Sequence, residues 1–143
     1  MKACGFIGQV GLSMSAQSEK VLEKDLHKIS EEFDVVFVGF YGVMQNFVAK
    51  FLRKNLKHKV KIVGVQGFDR DYSDLEREYL SNLYDDVIKI GERDVFQHIN
   101  SVILKNSTKV CFFVDETRSS DEIFALSEAK KRDLCYKNYF LFE

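Results

Sequence analysis

The chain has 143 residues, of which 45% are hydrophobic and 30% are charged, and its formal net charge is −1. This length and apolar content suffice for one domain with its own core, and they exclude a disordered chain. The 21 basic and 22 acidic residues are interspersed, so no basic excess points to a partner bound through a nucleic-acid backbone. We therefore expect a globular protein without a nucleic-acid partner.

The N-terminus begins with a strand-like run and lacks the basic start and long apolar stretch of a signal region. No apolar run approaches the roughly 20 residues that span a bilayer, so no membrane partner is expected. Cys4, Cys111 and Cys135 lie in or beside apolar runs without CxxC spacing, which favours buried free thiols. We expect a cytoplasmic protein. The three histidines share no spacing, and we predict neither a metal site nor a cofactor.

Apolar runs alternate with helical patterns along the chain, starting with a predicted strand at residues 3–7 and a helix over about 15–32. Residues 35–38 are apolar at every position, which predicts a second strand buried on both faces. The following helix has the clearest pattern, because apolar residues recur at helical spacing between residues 43 and 52.

The second half of the chain continues this alternation. The predicted elements are a strand at 60–65, a short helix near 74–83, a strand at 86–90, a helical stripe over 95–103, a strand at 109–114, a helix over about 120–132 and a final strand at 135–142. Strands that alternate with helices predict crossover connections, a mostly parallel sheet and helices on both of its faces. We predict a single α/β domain over 1–143, a three-layer Rossmann-like sandwich with about six strands.

In such sheets ligands collect at the carboxyl ends of the strands. The first candidate is the turn after the first strand, where Gly8 and Gly11 flank Gln9 and permit close backbone approach to a ligand. Ser13 and Ser15 supply hydroxyls near the start of a helix, whose free N–H groups favour an anion. The pattern is neither the dinucleotide GxGxxG nor a P-loop, so the alternative is a tight turn without a ligand.

The second candidate is the turn between the second strand and the clearest helix. Gly39 and Gly42 repeat the glycine arrangement, Val43 starts the helix, and Tyr41 is placed to stack on a base or ribose. The alternative is that Phe40 and Tyr41 only cover the end of the sheet. Two such turns on consecutive strands favour a ligand pocket.

Carboxylates, hydroxyls and one guanidinium crowd the segment after the fifth strand: Asp115, Arg118, Ser119, Ser120, Asp121 and Glu122. Arg118 is suited to hold a phosphate as a fork, and Ser119 or Ser120 to cap the next helix and bind an anion. Asp121 or Glu122 is a candidate base or a ligand of ribose hydroxyls. The alternative is a capped, solvated loop.

The chain resembles the SLOG superfamily, the fold shared by the Smf/DprA proteins and the Lonely Guy nucleotide hydrolases, and is similar to its small stand-alone members. The resemblance rests on residues 4–8, 37–42, 106–107 and 110–114, with support from 84–88 and the region of Arg93, which is also placed to reach a phosphate. It implies a Rossmann-like nucleotide pocket built from the first two glycine turns and the loop after the fifth strand. Some members cleave an N-glycosidic bond with a carboxylate near a glycine-rich loop, and others bind or sense nucleotide-derived ligands.

The chain departs from the hydrolase pattern, because it has no Pro-Gly-Gly-x-Gly-Thr and residues 117–122 stand in that region. Our leading hypothesis is a nucleotide- or nucleoside-phosphate-binding module that acts as a sensor or regulatory protein. The alternatives are an N-glycosidic hydrolase or transferase with Glu122 or Asp121 as catalytic carboxylate, and a protein-interaction domain with a degenerate pocket. The aromatic helix face at 47–52 is suited to a homodimer contact.

Overall fold

The computed structural model describes residues 2–56, 59–67, 73–91 and 95–143. The strands in this part of the chain are β1 Ala3–Gly8, β2 Val35–Gly39, β3 Lys61–Gln66, β4 Asp86–Lys89, β5 Lys109–Phe113 and β6 Cys135–Asn138. The helices are α1 Ala16–Glu32, α2 Val43–Asn55, α3 Asp74–Leu83, α4 Val95–Asn106 and α5 Asp121–Lys131. All strands pair in parallel in one sheet of order β4-β3-β2-β1-β5-β6. The predicted parallel α/β architecture is confirmed.

The central strand β1 is buried along its whole length because helices cover both faces of the sheet. Successive side chains alternate between the faces: Cys4 and Phe6 belong to a core shared with α1, α2 and α3, whereas Ile7 belongs to a second core shared with α4 and α5. The predicted three-layer sandwich is therefore present. Phe47 and Phe51 of α2 are half-buried against the first core, and their part in a dimer stays a prediction.

The order of the strands reverses beside β1, because β2, β3 and β4 extend from one side of it and β5 and β6 from the other. The connection through α4 carries the chain from one edge of the sheet back to the centre. At such a reversal the loops after the two central strands diverge and leave a crevice at their carboxyl ends. Because the strands are parallel, the turns after β1, β2 and β5 lie at this same edge of the sheet.

The predicted final strand at 135–142 is wrong in its second half. The strand ends at Asn138, and Tyr139–Phe142 form a 3₁₀ helix. Asn138 ends the strand because its side-chain amide bonds both the N–H and the carbonyl of Val114, at 3.0 and 2.9 Å. Tyr139 is fully buried and donates its hydroxyl to Asp25 of α1 at 2.5 Å. The chain therefore turns onto α1 instead of extending the sheet.

The predicted burial of the three thiols is correct for two of them. Cys4 and Cys111 are buried with their sulfurs 3.9 Å apart, whereas Cys135 lies exposed on the edge strand β6. The hydrogen bond to Cys111 and burial raise the pKa of Cys4 well above its ordinary range. None of the helices in the described ranges combines the length and the apolar content that crossing a membrane requires.

Candidate functional site

A cavity of about 530 Å³ lies at the carboxyl ends of the strands, between the first two glycine turns. It is lined by residues 10–11, residues 39–43, Asn46, Leu80 and Tyr84. The structure thus brings Gly11, Gly39, Tyr41, Gly42 and Val43 of the predicted site together around one opening. None of the described lining residues carries a charge, so the cavity itself favours an uncharged part of a ligand.

The second glycine turn is shaped for close approach. Gly42 is the N-cap of α2, with a φ of +89° and no side chain that could cap the helix. A Cβ on Gly42 would lie 2.3 Å from Oε1 of Gln45, so no other residue fits without rearrangement. The first N–H groups of α2 are consequently left without a side-chain cap beside the cavity.

Gln45 joins the two glycine turns from inside the protein. Its side chain is 1% exposed, and its Nε2 donates to the carbonyl of Gly8 at 2.9 Å. Its Oε1 has no hydrogen-bond partner among the described residues. Gly8 therefore contributes to the site through its hydrogen bond with Gln45 and does not itself line the cavity.

Aromatic rings form one wall of the cavity. Phe40 stacks on Tyr84 with ring centroids 4.6 Å apart, and Tyr41 packs against Phe96 at 4.4 Å. Gly64 of β3 makes room for this wall, because a Cβ there would lie 2.2 Å from the Phe40 ring. A planar ligand group would meet ring faces and edges on this side.

Tyr41 also connects the cavity to a buried carboxyl group. Its hydroxyl donates to Oδ1 of Asn100 at 2.5 Å, and Nδ2 of Asn100 donates to Oε2 of Glu122 at 2.8 Å. Asn100 is 2% and Glu122 3% exposed. Burial, assisted by the charge of Asp121, raises the pKa of Glu122 despite the hydrogen bond from Asn100. Burial also raises the pKa of Tyr41 well above its ordinary range.

Gln9 ties the first glycine turn to the loop after β5. Its Oε1 accepts from the N–H of Asp115 at 2.8 Å, and its Nε2 donates to the Ser120 hydroxyl at 2.8 Å. The same Nε2 lies 3.2 and 3.3 Å from the carbonyls of Asp115 and Arg118. The amide of Gln9 is thus engaged within the protein, where it holds the two loops together.

The loop after β5 brings a cation to the edge of the cavity. A terminal nitrogen of Arg118 lies 3.7 Å from the point that a Cβ on Gly11 would occupy. Arg118 is exposed, and within the described part of the chain it forms no hydrogen bond through its side chain and no ion pair. Thr117 donates two hydrogen bonds to the carboxylate of Asp115, and these lower the pKa of that carboxyl group. The same bonds hold the start of the loop in place.

Other predicted residues lie apart from the cavity. Ser13 and Ser119 are exposed and do not line it, and Asp121 lines a separate cavity of about 250 Å³ between α4 and α5. At the start of α1 the carboxylate of Glu143 accepts hydrogen bonds from Ser15 and Ser18, so the chain's own anion occupies this helix N-terminus. Arg93 lies outside the described residues.

Sequence reasoning missed Asn100, Gln45 and Asn46. The first two lie on the apolar faces of their helices, next to Ile99 and Met44, and a polar residue at such a position is the signal that was available. Asn46 follows on the first turn of α2 and had no signal of its own. Among the described residues, no group of three or more side chains is placed to hold a metal ion.

No protein-family model and no curated protein sequence matches the chain. DNA processing protein A from Streptococcus pneumoniae has a similar structure, with a TM-score of 0.70 at 17% identity over 94% of this chain and 49% of that one. DNA processing protein A from Helicobacter pylori, described for its single-stranded DNA binding mode, gives 0.68 at 11% identity over 94% and 63%. The molybdenum cofactor carrier protein from Chlamydomonas reinhardtii gives 0.62 at 14% identity over 94% and 74%.

These similarities, at 11–17% identity, confirm the predicted Rossmann-like fold and show the fold alone. The chain spans about half of the Streptococcus pneumoniae protein, so it corresponds to one part of that longer chain. Because the Helicobacter pylori protein binds single-stranded DNA, the comparisons do not support our expectation that nucleic acid is excluded as a partner.

Proposed function

We propose that the chain binds a nucleotide or another phosphorylated nucleoside in the cavity between its first two glycine turns. The observation that carries the proposal is the division of polarity at this site. The described cavity wall is uncharged and partly aromatic, while the exposed guanidinium of Arg118 lies at the edge formed by Gly11. A ligand with a planar ring and an anionic group matches this division.

The size of the cavity suits such a ligand. Small-molecule sites in proteins have volumes of about 300–1,000 Å³, and this cavity of about 530 Å³ lies within that range. A base would pack against the ring of Tyr41 or the stacked pair of Phe40 and Tyr84. Asn46, which is exposed on the cavity, offers both a donor and an acceptor to the edge of the base.

The anionic group would lie between Arg118 and the backbone of the two turns. A guanidinium binds phosphate oxygens as a two-pronged donor, and this pairing is stronger than one between neutral groups. The uncapped N–H groups at the start of α2 add a second source of positive potential. Together these groups support a phosphate position at the Gly11 and Gly42 side of the cavity.

Binding without turnover is the role we propose, as expected of a sensor or regulatory protein. Residues 117–122 lack a glycine-rich loop, and the carboxyl group of Glu122 is held by Asn100 behind the cavity wall. Two of the similar structures belong to proteins described as binding single-stranded DNA and carrying the molybdenum cofactor, which supports a binding role.

A thermal-shift screen tests the proposal. The panel contains adenosine, AMP, ADP, ATP, ADP-ribose, a cyclic dinucleotide and a short oligothymidylate. A ligand at about 100 times its dissociation constant adds about 2.7 kcal/mol, which raises the midpoint by several degrees in a domain of this size. We expect AMP or a related phosphate to shift the midpoint more than adenosine. A flat screen across the whole panel would overturn the proposal and favour a protein-interaction domain.

A second candidate function is cleavage of an N-glycosidic bond, and the position of Glu122 is the observation that favours it. Its Oε2 accepts a hydrogen bond from Asn100 at 2.8 Å and lies 3.4 Å from the Tyr41 hydroxyl. This function requires the Glu122 carboxyl group to reach the cavity past Tyr41, where a carboxylate can attack or stabilise an anomeric carbon. Chromatography of AMP after incubation with the protein decides between the two functions. Release of free base that is lost in Glu122→Ala would establish the enzyme, and intact AMP leaves binding alone.

A further inference from the structure

The hydroxyl of Tyr41 has a fixed hydrogen-bond direction. Nδ2 of Asn100 donates to Glu122 at 2.8 Å, which leaves Oδ1 as the atom of the amide that faces Tyr41. The phenol has one proton, and at 2.5 Å from Oδ1 that proton is committed to Asn100. The structure therefore leaves no donor on Tyr41 for a ligand in the cavity.

We infer that Asn100 is a positioning residue of the cavity, which holds the ring of Tyr41 in the wall and directs its hydroxyl proton away from the ligand. As far as a ligand is concerned, this inference rests on the proposed function. Tyr41 then contributes its ring face and edge to binding, and it discriminates ligands by shape and stacking instead of hydrogen bonding.

The surroundings of Asn100 argue for positioning over simple packing. Asn100 stands on the apolar face of α4, between Ile99 and Ile103 in the helical pattern, where an apolar side chain would pack without polar partners. A buried amide at such a place is unfavourable unless its groups are bonded, and here its two partners come from different elements, the turn after β2 and α5. The amide thus links the cavity wall to the helix behind it.

The contact between Tyr41 and Glu122 provides a signature of this arrangement. The Tyr41 hydroxyl also lies 3.4 Å from Oε2 of Glu122, which makes the carboxylate a second and more distant acceptor for the proton that Asn100 takes at 2.5 Å. The described groups that face Glu122 are Asp121 on its own helix, the neutral amide of Asn100 from α4 and the neutral phenol of Tyr41. The environment of the Tyr41 ring should consequently report the titration of Glu122.

Two variants that keep the γ-branched shape of the side chain separate positioning from packing. Asn100→Asp keeps an acceptor for the Tyr41 hydroxyl but loses the donor to Glu122, whereas Asn100→Leu loses both. Ser101→Ala, at an exposed position of the same helix, is the control. The protein is labelled with 3-fluorotyrosine, the Tyr41 resonance is assigned with Tyr41→Phe, and AMP is the probe ligand in calorimetric titrations.

We expect the dissociation constant for AMP to rise by about tenfold in Asn100→Leu and by less than about threefold in Asn100→Asp, the scale of one lost hydrogen bond. The fluorine resonance of Tyr41 should shift with pH in the wild type. In Asn100→Leu it should move from its wild-type position and shift more strongly with pH, because the Glu122 carboxylate is then the remaining acceptor for the Tyr41 hydroxyl. If the loss of AMP affinity is proportional to the loss of thermal stability in both variants, Asn100 has only a structural role and the inference is overturned.

The fluorine measurement needs no ligand, so it keeps this inference separate from the proposed function. A wild type that binds no AMP counts against the proposed function with that probe. An unchanged Tyr41 resonance in Asn100→Leu counts against the hold on Tyr41, whether or not AMP binds.

Discussion

A Cβ placed on Gly42 would lie 2.3 Å from Oε1 of Gln45. The buried amide of Gln45 therefore keeps its position only because residue 42 has no side chain. The same amide donates to the carbonyl of Gly8, which gives the two turns on either side of the cavity a common support. The shape of the cavity therefore depends on a contact between two turns that are separated by more than thirty residues.

Gly42→Ala should lower the free energy of unfolding by about 2–4 kcal/mol, because it combines a left-handed backbone with a steric clash. Urea denaturation measures this difference. Gly91→Ala is the matched control, since a Cβ at Gly91 would meet no atom within 4 Å. Equal stability of the two variants would contradict the described geometry of the turn.

Gln9→Ala should lower the free energy of unfolding by about 1–3 kcal/mol, because it removes the bonds that join the first turn to the loop after β5. Hydrogen exchange should accelerate in residues 115–120, whose backbone then loses its attachment. Gln17→Ala, at an exposed position of α1, is the control and should leave exchange in this loop unchanged. Unaltered exchange in the Gln9 variant would show that the loop is held by other contacts.

Glu122→Gln should become more stable relative to the wild type as the pH rises. Burial raises the pKa of Glu122 in the folded protein above its ordinary value of 4.5, so the wild type loses stability as the pH rises through this range. Glutamine does not titrate and still accepts from Asn100. Unfolding free energies at about pH 4 and about pH 8 measure the difference. Glu128→Gln, at the half-exposed ion pair with Arg132, is the comparison.

Arg118→Ala should weaken the binding of AMP by roughly tenfold to a hundredfold, the scale of a charge-assisted hydrogen bond. The affinity for adenosine should stay the same, because it carries no phosphate. The free energy of unfolding should change by less than about 0.5 kcal/mol, since Arg118 is exposed. Arg132→Ala, at the exposed end of α5, controls for the loss of a positive charge. Equal losses for AMP and adenosine would place the phosphate elsewhere.

Titration of the native protein with a thiol reagent should modify one cysteine rapidly. Cys135 is exposed, whereas Cys4 and Cys111 are buried in the first core. The remaining two thiols should react only after denaturation, because reaction requires contact with solvent. Cys135→Ser should abolish the rapid phase, and a second rapid thiol would contradict the burial of the sheet centre.

The sequence by itself determined the order and type of the elements, because these depend on local pattern. Strands buried on both faces have continuous apolar runs, and Ser15 at the predicted start of the first helix is the N-cap of α1. The glycine turns after β1 and β2 could be placed at one end of the sheet, since parallel strands bring their carboxyl ends together. The predicted single-domain organisation over 1–143 and the role of the site stay proposals.

Only the tertiary structure decided which side chains meet. Residues 139–142 are apolar like a buried strand, and it is the bond from Tyr139 to Asp25, 114 residues away, that turns them onto α1. Tyr41 and Asn100 are 59 residues apart in the chain. Arg118, in the loop after β5, lies beside Gly11, in the turn after β1. Local patterns report burial and turn geometry. Hydrogen-bond partners depend on the distances that the packed elements leave between them, and no stretch of sequence contains those distances.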